Sequence, residues 1–411
     1  MTALPAPTQL DPVPLEYRRP GTRDAGHPER IPALDGVRGL AVLLVMAHHL
    51  FVLTPATVAE SLVHDLAHTG FWGVDLFFVL SGFLITGILF DSKGATHYFR
   101  NFYARRTVRI FPLYYAFVFL MLVAVPWLAA RVGQTAAAES TLGRLTPGAG
   151  GWYWAYLANF HMAYVEHYTH KTLAVAWSLA IEEQFYIVWP AVVLLLGRRA
   201  LMGVSIAMLG VAIGSRLAVG LLAPDSNLKM YLLTPCRLDG LAVGAFIALA
   251  LRRPGFTSDD NLARVAPLMK WVGVFGLYLV AAANFAYDLI APTYWTPVLV
   301  FAGLALAFGG LIVACLAAPR TAKLSRVMSS APMRTFGNYS YALYLFHFPV
   351  ALILATYVFK PAHFGKFGTP LVGQALFFVL ATAVSLAAAW VSWNLFEKHF
   401  LKLKKYFPSG K

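Results

Sequence analysis

The sequence predicts an all-α integral membrane protein of about ten transmembrane helices with both termini cytoplasmic. Of its 411 residues, 59% are hydrophobic and 13% charged, and the mean hydropathy is +0.63, far too apolar for a soluble chain of this size. Apolar stretches of about twenty residues, the length that spans a hydrocarbon core, recur from Leu34 almost to the C-terminus. The basic residues between them alternate in density, as retention of Lys and Arg on the cytoplasmic side requires.

The predicted spans are 34–53, 70–90, 109–130, 175–196, 200–222, 236–251, 268–287, 295–317, 337–358 and 371–395. Arg18, Arg19, Arg23 and Arg30 precede the first, Lys93 to Arg109 follow the second, and Arg198 and Arg199 follow the fourth. Arg252 to Lys270, Arg320 to Arg334 and five C-terminal lysines complete the cytoplasmic set, 24 of the 33 basic residues. The other side carries six, Arg131, Arg144, Lys171, Lys229, Lys360 and Lys366, while Arg38, Arg216 and Arg237 fall in or at the edges of spans. This topology and contact with anionic membrane lipids explain the net charge of +14, so a nucleic-acid partner is not expected.

Residues 1–33 are rich in proline and charge and lack an apolar core, which predicts a disordered cytoplasmic tail and not a cleavable signal. Residues 34–398 form one transmembrane domain, and 399–411 a basic cytoplasmic tail. Cys236 and Cys315 lie in separate spans without Cys-x-x-Cys or Cys/His spacing, so neither a disulfide framework nor a metal site is expected. The longest connection, 131–174, turns from Gly148, Gly150 and Gly151 to Trp152, Tyr153, Trp154 and Tyr156, a composition suited to returning to the membrane interface.

Ionisable side chains inside spans are costly and point to function until shown to be structural. Arg38 and His49 are eleven residues apart on the first span, which places them on one helical face about 16 Å apart, with His48 elsewhere. His49, deep and toward the outer half, can take a proton from a hydroxyl, or can simply bond a helix carbonyl. Asp75 opens the second span; Ser81 within it lacks a Gly-x-Ser-x-Gly elbow and reads, with Gly82, as a small pair for close helix packing.

Arg106 and Arg109 share a helical face at the cytoplasmic mouth of the third span, as phosphate ligands or as topology anchors. Glu182 and Glu183 lie about 100° apart near the outer end of the fourth, so at most one is placed to orient His49. Arg237 and Asp239 open the sixth span and read mainly as structural, as does His347 in the ninth.

Taken in order, Leu34-Asp-Gly-Val-Arg38, the ten-residue interval to His49, Arg106-x-x-Arg109, Trp177-Ser-Leu-x-x-Glu182 and Tyr339-Ser-Tyr-Ala-Leu-Tyr344-Leu-Phe-His347 resemble the membrane-bound acyltransferase 3 family. That family includes O-antigen, exopolysaccharide and nodulation-factor acetylases, and the likeness runs to about Phe396. The resemblance implies that 34–398 is an acyltransferase domain, that His49 and Glu182, the family's acidic position, are catalytic, and that Arg38, Arg106 and Arg109 bind an acyl-CoA donor. Asp75, Glu183, Arg237 and Asp239 are supporting candidates.

The expected reaction is O-acyl transfer from cytoplasmic acyl-CoA, acetyl-CoA first, to a hydroxyl of a cell-envelope glycan or small metabolite. His49 serves as base or transient acyl carrier, in a bacterial inner membrane, with no tightly bound cofactor. Some relatives carry a further esterase-like domain; this chain ends soon after its last helix, so transfer is the expected whole function. The rival reading is a proton-coupled multi-helix transporter, for which the sequence shows no inverted halves or paired broken helices.

Overall fold

The computed structural model describes residues 31–224, 226–290 and 295–408, so all but the last three residues of the expected tail over 1–33, and the last three basic-tail residues, lie outside the described residues. Among the described residues the chain is helical and has no strand. The helices that position the site are α1 (Pro32–Leu50), α2 (Val58–His68), α3 (Gly73–Asp91), α4 (Tyr98–Phe119), α5 (Ala176–Leu195), α6 (Arg198–Leu222) and α7 (Leu238–Ala250). They continue as α8 (Ser258–Ile290), α9 (Trp295–Ala317), α10 (Ala331–Asn338), α11 (Ser340–Ile353) and α12 (Pro370–Ser392). Pro32 occupies the first turn of α1, where its missing N–H breaks no helical bond, so the helix begins two residues before the apolar stretch.

Nine helical segments among the described residues are long and apolar enough to cross a membrane, and they cover nine of the ten predicted spans. The exception is the sixth. Its α7 has only thirteen residues, about 20 Å of helix against a core of about 30 Å, and it follows a 3₁₀ turn at Thr234–Arg237 and a short helix at Asn227–Leu232. Such a broken leg is tolerable because α7 is enclosed by α3, α6 and α9, so protein and not lipid surrounds its irregular backbone.

The helix ends sort into the two layers that the charge pattern predicts. On the basic side, Arg252 makes a two-pronged ion pair with Asp91 at 2.8 Å, Arg198 donates to the Leu249 carbonyl at 2.8 Å, and Lys93 to that of Leu196 at 2.6 Å. Arg105 donates to the Phe407 carbonyl at 2.8 Å, bringing the C-terminal segment to the same layer. On the opposite side Glu166 pairs with Lys229, and hydrogen bonds from Lys229 and Ser226 hold its carboxyl below the ordinary range.

Close packing of α3 on α7 depends on glycine. A Cβ on Gly82 would overlap the Leu241 carbonyl, and one on Gly244 the Val79 carbonyl, so the Ser81-Gly82 pair does permit close approach. At the basic end, Gly36, Gly39 and Gly337 seat α1 directly on the backbone around α10. Gly244→Ala should therefore lower stability by about 1–3 kcal/mol, the usual cost of overpacking, read as a lower Tm of the detergent-solubilised protein. Gly214→Ala on α6, where nothing lies within 4 Å of the added carbon, is the control; equal Tm values for the two variants would contradict the packing.

Candidate active site

His49 sits in the last turn of α1, and the chain leaves that helix through extended backbone at Phe51. The buried amide of Gln374, from α12, holds the exit: its Oε1 accepts from the backbone N–H of Val52 at 3.0 Å and Leu53 at 3.1 Å, while its Nε2 donates to the Leu50 carbonyl at 2.9 Å. Three backbone groups that a helix end leaves unpaired are satisfied by one side chain. The backbone immediately after His49 is thereby tied to α12.

Around the ring are His347, with Nε2 3.1 Å from His49 Nδ1, Phe348 at a centroid distance of 4.9 Å, and His48, edge-on at 4.8 Å. His48 turns outward and its Nδ1 bonds the His68 carbonyl of α2 at 3.1 Å, in keeping with its expected separation from His49. The Val45 carbonyl lies 3.1 Å from His49 Nδ1. The expectation that Glu182 or Glu183 orients His49 is not met, because both point elsewhere.

Glu182 Oε1 accepts from Ser81 Oγ at 2.5 Å, and Tyr186, one turn further along α5, donates to Ser81 at 3.2 Å. Glu182 shares its surroundings with Arg38 and Arg106. Arg38, Arg106 and Arg109 converge closely enough for their charges to repel one another, with Asp35 and Glu397 as further neighbours. None of the three forms an ion pair within the described residues, and each is only partly buried. Arg106 lies 5.8 Å over the rings of Phe102 and Tyr186. Glu183 diverges as its position predicts, toward the phenols of Tyr114, Tyr156 and Tyr341.

The other supporting candidates form a separate group. Arg237 bonds Asp75 at 2.8 Å and Arg216 bonds Asp239 at 2.7 Å, all four essentially inaccessible, with Arg237 stacked 4.0 Å over Phe301. Two charges of each sign lie together beside the start of the short α7, and the bonds of Asp75, Arg237 and Asp239 are to one another, to Arg216 and to backbone, not to His49.

The aromatic connection folds back into the helices. Tyr156, left-handed at φ 54°, stacks on Tyr114 at 4.0 Å, and its carbonyl accepts from Gln184 at 2.9 Å. Sequence reasoning missed Gln374, Tyr186 and the contact of His347 with His49. The readable signals were a lone amide in an apolar span, and a tyrosine four residues after Glu182 on the same face.

The fold is a bundle of membrane-length helices with His49 at one end of α1 and an arginine cluster at the other, and comparison with known proteins gives the family. The acyltransferase domain model of the acyltransferase 3 type matches residues 31–393, and the chain belongs to that family. It is 27% identical over 378 residues to YrhL of Bacillus subtilis, whose name gives it provisionally as a peptidoglycan O-acetyltransferase; the match covers 90% of this chain and 55% of that protein. It is 26% identical to the O-acetyltransferase OatA of Staphylococcus aureus over 80% of this chain and 52% of that one, and 26% identical to the peptidoglycan O-acetyltransferase OatA of Listeria monocytogenes over 78% and 49%. The chain thus spans about half the length of the curated relatives it matches. No solved structure gives a significant match.

Gln374→Leu keeps the volume of the side chain but strands the N–H groups of Val52 and Leu53 and the Leu50 carbonyl. Each buried group left unpaired costs about 1–3 kcal/mol. The variant should melt at clearly lower temperature in detergent; an unchanged Tm would show that the amide does not hold the end of α1.

Proposed function

We propose that the chain catalyses O-acyl transfer, moving an acetyl group from a CoA thioester at the cytoplasmic face of a bacterial inner membrane to a hydroxyl of a cell-envelope glycan. Peptidoglycan is the acceptor class carried in the names of its relatives. The observation that carries this reading is the cluster of Arg38, Arg106 and Arg109, free of ion pairs within the described residues, at the basic end of the helix whose other end presents His49. Forked guanidiniums that no ion pair engages are suited to phosphate oxygens, which they bind by charge-assisted hydrogen bonds.

The thioester is already activated, so the protein's work is positioning, proton transfer and charge stabilisation. Phosphates held at the arginines leave the long arm of the donor free to run along α1 toward His49, about 16 Å away. There the histidine takes the proton of the attacking hydroxyl. Direct transfer and a transient acyl-His49 intermediate both fit this geometry. Glu182, tied to Ser81, sets the arginine end and does not act on the hydroxyl. Membership in an acyltransferase family disfavours the carrier reading.

Purified protein given labelled acetyl-CoA and soluble peptidoglycan fragments should place label on the fragments; a carrier would leave both unchanged. His49→Ala should abolish transfer with Tm retained, and His48→Ala should do less. Arg106→Gln and Arg109→Gln should each raise the apparent donor KM about ten-fold or more, since a charged hydrogen bond is worth about 1.5–3 kcal/mol. Lysine variants, which keep the charge but lose the fork, should be impaired too. Full donor affinity in correctly inserted glutamine variants would remove these arginines from the site.

A further inference from the structure

His347 has no part in the transfer as described, yet its ring is fully buried against His49, with centroids 5.0 Å apart. The contacts of the two rings assign their protons. His347 Nδ1 lies 2.9 Å from the Leu343 carbonyl, and His49 Nδ1 lies 3.1 Å from the Val45 carbonyl. A carbonyl oxygen only accepts, so each Nδ1 carries hydrogen, and in a neutral imidazole Nε2 then holds the lone pair. His347 Nε2, 3.1 Å from His49 Nδ1, can therefore receive the His49 N–H, which leaves His49 Nε2 as the unclaimed basic nitrogen of the pair.

The Val45 carbonyl and His347 Nε2 both lie 3.1 Å from His49 Nδ1, so the one N–H is shared between them, and of the two partners only His347 is a side chain that substitution can remove. The titratable groups facing the pair are His48 on α1 and His68 from α2. No carboxylate among the described residues bonds either ring, since Glu182 is engaged by Ser81.

We propose that His347 is a positioning residue for acyl transfer, a neutral acceptor that holds His49 with Nε2 directed at the acceptor hydroxyl. The inference rests on the transferase reading above. As the hydroxyl oxygen attacks the thioester carbonyl, its O–H bond breaks and the proton moves to His49 Nε2. The C–S bond then breaks, and the same proton passes to the departing thiolate. While His49 carries both protons, its Nδ1–H bond to His347 becomes charge-assisted and roughly twice as strong. An interaction that strengthens only during reaction raises kcat and leaves donor binding unchanged.

The test compares His347→Leu, which removes the acceptor, with His347→Gln, whose amide oxygen can take its place. Purified variants are assayed with acetyl-CoA and soluble peptidoglycan fragments, with Tm and donor KM measured alongside. His347→Leu should lose about ten-fold in kcat with donor KM within two-fold of the parent, and His347→Gln should recover most of the loss. Wild-type kcat in His347→Leu, or equal loss in both variants together with lowered Tm, would overturn the assignment. Inactive His49→Ala beside unaffected His347→Leu refutes the role of His347 alone; transfer retained in His49→Ala refutes the role of His49 and this inference with it, while no transfer by the parent protein refutes the transferase reading.

Discussion

Everything at the candidate site hangs on the rigidity of one helix. Arg38 and His49 project from α1 on the same face three turns apart, and a helix fixes that separation as a loop cannot. Both ends of α1 are clamped. At the basic end, Gly36 and Gly39 lie directly against the backbone of Met328 and Met333, with contact distances that leave no room for a side chain. At the other, the Gln374 amide ties down the residues immediately after His49. In the proposed reaction, a donor held at one clamp presents its reactive end at the other, a helix length away.

The cost of burying charge separates the structural ionisable groups from the candidate functional ones. Arg216, Arg237, Asp75 and Asp239 are paired, inaccessible and collectively neutral, and they support the broken leg that α7 makes through the bundle. Arg38, Arg106 and Arg109 also act on one another, but no ion pair among the described residues ties any of them down, and Asp35, Glu182 and Glu397 only lie nearby. This is the cluster proposed above to receive an anionic donor.

Much of this was legible in the sequence, because its signals are local. Length and hydropathy mark nine spans, and the Lys and Arg pattern sorts their ends into the two layers observed. Helical spacing separates His48 from His49 and Glu182 from Glu183, and a Ser-Gly pair marks a close helix crossing. The sixth span misled because Leu241 to Leu249 is as apolar as a lipid-facing helix, yet its surroundings are protein, so it need not match the bilayer. The partners of His49 were hidden for another reason: His347 and Gln374 lie about three hundred residues away, and only the packing of α11 and α12 on α1 brings them together. An acidic partner is the usual orienting group for a histidine base, which made the neighbouring carboxylates the natural expectation; the fold spends Glu182 on Ser81 instead.

The proposed reaction, with donor phosphates at the arginines near one membrane surface and a histidine base toward the other, has donor and acceptor meet from opposite sides. Sided vesicles test that implication most directly. Protein reconstituted in a known orientation, with labelled acetyl-CoA enclosed on the face bearing Arg106 and soluble peptidoglycan fragments only on the face nearer His49, should yield labelled fragments without leakage of donor. Label appearing only when donor and fragments share one face would contradict a reaction carried across the membrane along α1.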